Sequence, residues 1–150
     1  MRNIFLLCFF IVILFFGCEK EYSEVIDPGK NVPPVISNLQ APKSLLVPIT
    51  DTLKVLLSVD VFDAEGKEDI EKVYFNTFKP DGSPSSGNPF LMYDDGNLLA
   101  HGDLTANDGT YSRIIILPPG TTKGIYRFDF QAMDKKGDLS NIITHYIEVK

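Results

Sequence analysis

Three groups of oxygen-bearing side chains could do chemistry in this chain. Asp63, Glu65 and Asp69 follow a strongly alternating stretch, Asp103, Asn107 and Asp108 precede Tyr111, and Asp134 and Asp138 lie near the C-terminus. Carboxylates and amide carbonyls without nitrogen or sulfur partners suit a hard cation, calcium above all. Asp63, Glu65, Asp103, Asn107, Asp108 and Asp134 are the candidate metal ligands, and calcium the one candidate cofactor. The segment 103–108 is not an EF-hand loop. Gly109 stands at the seventh place rather than the sixth, and Ile114 occupies the twelfth place, where a glutamate is required. A competing reading needs no ion. Asp-Gly pairs at 81–82, 95–96 and 108–109 are turn formers, in which glycine tolerates left-handed backbone and aspartate bonds nearby N–H groups.

Catalytic constellations are not visible. The two histidines, His101 and His145, have no H-E-x-x-H or Cys/His context, and there is no G-x-S-x-G or phosphate loop. His145 alternates with Ile143 and Ile147 as a strand residue does, and His101 is expected to bond Asp103 or a turn. No catalytic residue is assigned and the chain is expected not to be an enzyme. Tyr74, Phe78 and Tyr93, if exposed, could stack on sugar rings, which makes a calcium-assisted glycan or small polar ligand module the alternative function.

The elements that must position these groups read as strands. Leu53, Val55, Leu57, Val59 and Val61 alternate with polar residues, as do Val73, Phe75 and Thr77, and Tyr126, Phe128, Phe130 and Ala132. Further short strands are expected at 34–39, 90–93, 111–117 and 141–149, separated by Pro-, Gly- and Asp-rich turns. About seven strands, no amphipathic helix and no repeat predict an all-β, immunoglobulin-like antiparallel β-sandwich over 33–150. Simple seven-strand order would bring the three acidic loops to one end of that sandwich.

The N-terminus has a different character. Arg2 precedes an uncharged apolar run from Ile4 to Phe16, and charge resumes at Glu19-Lys20-Glu21. The run is short for a spanning helix and has the layout of a secretory signal. Leu14-Phe15-Phe16-Gly17-Cys18 resembles the lipobox of bacterial lipoproteins. The resemblance implies a signal peptide over 1–17, lipidation of Cys18 and insertion of its acyl chains in a lipid bilayer. An uncleaved N-terminal anchor and ordinary secretion are the competing readings. Residues 18–32 read as a flexible tether, and the charges after Cys18 resemble those of lipoproteins sent to the outer membrane of the cell envelope.

Arg2 is the only charged residue of 1–17, so the remainder carries 13 basic and 20 acidic residues, a net charge of −7. That balance argues against nucleic acid as a partner and leaves a protein or glycan. Of the two cysteines, Cys8 leaves with the signal and Cys18 is lipidated, so packing rather than a disulfide must stabilise the domain.

Asp94-Asp95-Gly96, His101-Gly102-Asp103 and Ala106-Asn107-Asp108-Gly109-Thr110-Tyr111-Ser112 together resemble a motif of bacterial extracellular Ig-like domains. Ala132-Met133-Asp134-Lys135-Lys136-Gly137-Asp138-Leu139-Ser140 resembles the hairpin that ends fibronectin-type and cadherin-like domains. The resemblance implies a spacer, adhesion or accessory module: a membrane-anchored structural or interaction domain. The chain has no tryptophan and no cysteine pair in its strands, so it is not of antibody type.

Overall fold

Alternation at period two puts one row of each strand into a shared core. The computed structural model, which describes residues 29–150, has eight strands, and the pattern is clearest in the third, fourth, seventh and eighth. They are β1 (Val35–Gln40), β2 (Ser44–Leu45), β3 (Leu53–Phe62), β4 (Ile70–Phe78), β5 (Phe90–Met92), β6 (Thr110–Leu117), β7 (Gly124–Asp134) and β8 (Ile143–Val149). Residues 1–28 lie outside the described residues, and with them Cys18, the lipobox and most of the expected tether. Among the described residues no helix is long and apolar enough to cross a membrane.

The strands form two sheets, ordered β1-β3-β6 and β2-β8-β7-β4-β5. All pairings are antiparallel except that of β2 with β8. In immunoglobulin terms the smaller sheet holds the A, B and E strands and the larger the C, F and G strands, with β2 and β5 as additions to its edges. The fold is an immunoglobulin-like β-sandwich. Asn31–Lys150 is one compact unit.

Val55, Leu57 and Val59 from β3 meet Val73 and Phe75 from β4 and Phe128, Phe130 and Ala132 from β7 in the core. Phe75, 1% exposed, is at the centre of an aromatic cluster. Its ring centroid lies 5.2 Å from Phe130, 5.3 Å from Phe90 and 5.7 Å from Phe128. Burial of these rings is the main source of stability in a domain without disulfides.

Two side-chain amides extend the ladders. Asn141 Oδ1 accepts from the Ile36 N–H at 3.0 Å while its Nδ2 donates to the Ile36 carbonyl at 3.1 Å. Asn88 does the same to Thr77, at 2.9 Å for each bond. Each amide thus supplies a donor and an acceptor where a neighbouring strand would have done so.

The strands expected from alternation are all present. The two-residue β2 and the single 3-10 turn Lys67–Asp69 are not foreshadowed. Both are set by their surroundings: β2 exists through its parallel pairing with β8, and the Asp69 carbonyl accepts from Lys135 N–H at 2.8 Å.

Candidate functional site

Five aspartates in the loops bond the N–H two residues ahead. Asp63 accepts from Glu65, Asp81 from Ser83, Asp95 from Asn97, Asp108 from Thr110 and Asp134 from Lys136, all at 2.8–3.0 Å. These Asx turns end the strands sharply and hold the loops in fixed shapes. Three such loops, 63–69, 93–109 and 134–140, meet at one end of the sandwich. Lys67 Nζ donates to the Asn107 carbonyl at 2.7 Å, and Val61 N–H to Gly109 at 2.9 Å.

Four of the six candidate metal ligands fall into two groups there, and Asn107 and Asp134 belong to neither. In the first, carboxylate oxygens of Asp63, Glu65 and Asp69 lie within 4.8 Å of one another. In the second, Asp103 and Asp108 come equally close to Asp94. The second group is organised by N–H donors. Asp94 accepts from Asp108 and Gly109, and Asp103 from Gly96 at 2.5 Å. Asn107 takes a left-handed φ of 60° and offers its carbonyl to Lys67. Asp103, 2% exposed, is thereby the buried post of the 93–109 loop. Gly102 beside it, at φ 83°, touches the outer face of the smaller sheet, where a Cβ would lie 2.3 Å from Leu56 Cδ1.

The first group is not satisfied in this way. Asp63 is 5% exposed; its Oδ1 accepts from Glu65, but its Oδ2 has no donor. Asp69 Oδ2 and Asn31 Oδ1 are buried and equally without donors. Burial pushes the Asp63 carboxyl up from its usual range; the Glu65 N–H opposes this, while the charges of Glu65 and Asp134 add to it.

Asp134, fully buried, lies alongside with both oxygens bonded. Oδ2 accepts from Asn31 at 2.6 Å, and Oδ1 from Lys136 and Asp138 at 2.9 and 2.8 Å. Burial would raise its carboxyl, but the Asn31 amide and the N–H groups of Asp138, Lys136 and Gly137 outweigh it and hold the group below the usual range. Asp134 organises the hairpin that the other groups rest on.

The remaining candidates have intramolecular partners. His101 Nδ1 lies 2.7 Å from Asp95 Oδ2, not on Asp103, and its ring stacks on Tyr93 at 3.8 Å. His145 Nε2 sits 2.9 Å from the Pro42 carbonyl. Tyr74 donates to Gln131 Oε1 at 2.9 Å, and the Arg127 guanidinium covers Phe78 at 4.0 Å. The three rings considered for sugar stacking are therefore each engaged within the domain.

Asp94 completes the second group and Asn31 holds Asp134 and Asp138 beside the first; neither stands among the candidates read from the sequence. Asn31 stands among polar tether residues, and its one sequence signal is its place just before Val32-Pro33-Pro34, where the chain stiffens.

A different feature marks the open side of the sandwich. Among the described residues the smaller sheet has no strand beyond β6, and the chain between β5 and β6 forms the 93–109 loop instead. Ser112 turns its N–H and carbonyl outward, to Tyr93, at 2.8 and 2.9 Å. By the period of two, Ile114 and Ile116 present theirs outward as well, and no main-chain partner meets them among the described residues. Beside this edge a cleft of about 420 Å³ opens between the sheets. Ile115 and Leu117 line one wall and Phe75, Phe90 and Phe128 the other. Arg113 closes one end, with its guanidinium over Phe90 at 5.4 Å and Nη1 bonded to the Leu91 carbonyl at 2.6 Å.

No protein-family model and no curated protein matches the chain. Solved structures do. The fibronectin(III)-like modules of Clostridium thermocellum CbhA are 19% identical over 79% of this chain and 47% of that chain, with a TM-score of 0.46. A PKD domain of an M14-like peptidase from a Thermoplasmatales archaeon is 15% identical over 80% and 98%, with a TM-score of 0.45. The SrpA adhesin of Streptococcus sanguinis is 19% identical over 81% and 59%, with a TM-score of 0.47. The chain thus spans about half the length of the first and less than two thirds of the third.

Proposed function

We propose that this chain is a lipid-anchored, extracytoplasmic interaction module of a bacterial cell envelope, without catalytic activity, that binds a protein partner. The observation that carries the binding reading is the vacant place beside β6. Unpaired main-chain groups at Ile114 and Ile116 run along an apolar cleft, with Ile116 60% exposed. An extended segment laid there would gain ladder hydrogen bonds and bury alternate side chains between the sheets, the physics of strand addition. The cleft lining is overwhelmingly apolar, which suits binding rather than proton or group transfer. The lipobox-like stretch ending at Cys18 supports the anchor, and the acidic balance supports a partner other than nucleic acid.

Two variants of the full chain test this in cells. Cys18→Ser is expected to abolish incorporation of labelled palmitate and release the protein from the membrane fraction. Ile116→Lys, a charge of the kind that blocks edge pairing, is expected to abolish co-purification of the partner while leaving the melting temperature unchanged. Retention of the partner by Ile116→Lys would overturn the assignment of the β6 edge.

A further inference from the structure

We propose that Asn31, Asp63, Glu65 and Asp69 bind one calcium ion, which fixes the point at which the chain enters the sandwich. Acidic loops alone would not carry this. The unpaired oxygens do. Asn31 Oδ1, Asp63 Oδ2 and Asp69 Oδ2 are each buried without a donor, although buried polar atoms in folded proteins nearly always have one. Asp63 is 95% buried by its 5% exposure, and its oxygens share a small volume with those of Glu65 and Asp69. All three orphans are acceptors, so no exchange of bonds among them can satisfy any.

The charge balance says the same. None of Asp63, Glu65, Asp69, Asp134 or Asp138 is in an ion pair among the described residues. Asn31 donates both its amide protons, to Asp134 Oδ2 at 2.6 Å and to Asp138 Oδ2 at 2.8 Å. That fixes the amide orientation and leaves Oδ1 as a neutral oxygen ligand. Val32 N–H donates to Glu65 Oε1 at 3.2 Å, which brings the same short segment onto the acidic loop. The donor set is three carboxylates and one amide carbonyl, all oxygen, which selects a hard cation over zinc. Ligands drawn from two separate segments tolerate the loose geometry of calcium better than the strict octahedron of magnesium. The Asp94, Asp103 and Asp108 group makes the contrast, since each of its carboxylates accepts a main-chain N–H and none of its oxygens is buried without a partner.

The consequence is mechanical. Calcium would join residue 31 to the loop after β3, so that the direction in which the chain leaves the sandwich is fixed when the ion is bound.

The test is thermal melting of the full chain in detergent, in chelator, in 10 mM calcium and in 10 mM magnesium. Extracellular calcium modules bind at the order of 10⁻⁴–10⁻³ M, which for a domain of this size implies a calcium shift of roughly 5–10 °C. Asp63→Asn is expected to melt no lower than wild type in chelator, because the new amide donates to the orphaned oxygens, and to lose the calcium shift. Asp103→Asn is expected to melt lower and keep the shift. Should Asp63→Asn fail to fold, Asp69→Asn is the second variant, read by calorimetric titration with calcium and expected to show weakened binding. The absence of a wild-type shift, an equal shift with magnesium, or a calcium response that survives in Asp63→Asn or Asp69→Asn would overturn the site.

Discussion

Removing the Asn141 amide should show how much of this sandwich depends on one side chain acting as a strand. In Asn141→Ala both the N–H and the carbonyl of Ile36 lose their partner, and Ile36 is 2% exposed. An unsatisfied buried group costs about 1–3 kcal/mol. Asn141 itself is exposed, so water reaches part of the gap and each loss falls toward the lower half of that range. The expected destabilisation is about 2–4 kcal/mol for the pair. With an unfolding entropy of about 2.1 cal/mol/K per residue, a domain of this length loses about 4 °C per kcal/mol, so the melting temperature should fall by roughly 8–16 °C. Asn141→Asp refines the test. Its carboxylate keeps the Ile36 N–H but sets a negative oxygen against the Ile36 carbonyl, whereas the protonated acid can donate there. The folded-state pKa of the new group is therefore raised above about 3.9. Its contribution is fully present below that value and is lost as pH rises through the folded pKa. Denaturant melts from about pH 3.5 to pH 7 should show the variant approaching wild type at the acid end. A loss under about 0.5 kcal/mol for Asn141→Ala, within the ordinary range for surface changes, would refute the reasoning.

Three further outcomes follow from the same geometry. Phe75→Ala, at the centre of the aromatic cluster, should cost about 3–5 kcal/mol by chemical denaturation. Gly102→Ala should lower stability by about 1–3 kcal/mol through its positive φ and its contact with Leu56, and Leu56→Ala in the same chain should recover the steric part only. Asp134 is held below the usual carboxylate range, so its contribution is present above the unfolded value of 3.8 and is lost as pH falls through the folded pKa. Melts in chelator should show Asp134→Asn less stable than wild type at neutral pH, with the gap closing in acid.

What could be read in advance was local. Alternation in 53–61, 73–77 and 126–132 names the inward residues of β3, β4 and β7, because burial on one face of a sheet imposes a period of two. The Asp-Gly turns at 81–82, 95–96 and 108–109 form as their chemistry dictates, each with a positive-φ glycine. What escaped depends on partners distant in sequence. Asn31 looks like any polar tether residue until Asp134 and Asp138, over a hundred residues away, meet its amide. Asn88 and Asn141 carry no pattern that marks them as substitutes for a strand. His101 bonds Asp95 rather than Asp103 because the loop folds the ring back over Tyr93. The open β6 edge is a property of topology: among the described residues 93–109 is a loop and not a fourth strand.

The most direct test of the interaction account is a photo-cross-linking amino acid placed at Ile116 in the full, membrane-anchored chain in living cells, with Tyr146 on the larger sheet as the control position. Both side chains are exposed. The account predicts a discrete cross-linked protein from position 116, lost when Ile114→Lys is added, and none from position 146. Cross-linking to the same partner from 146 and not from 116 would contradict it.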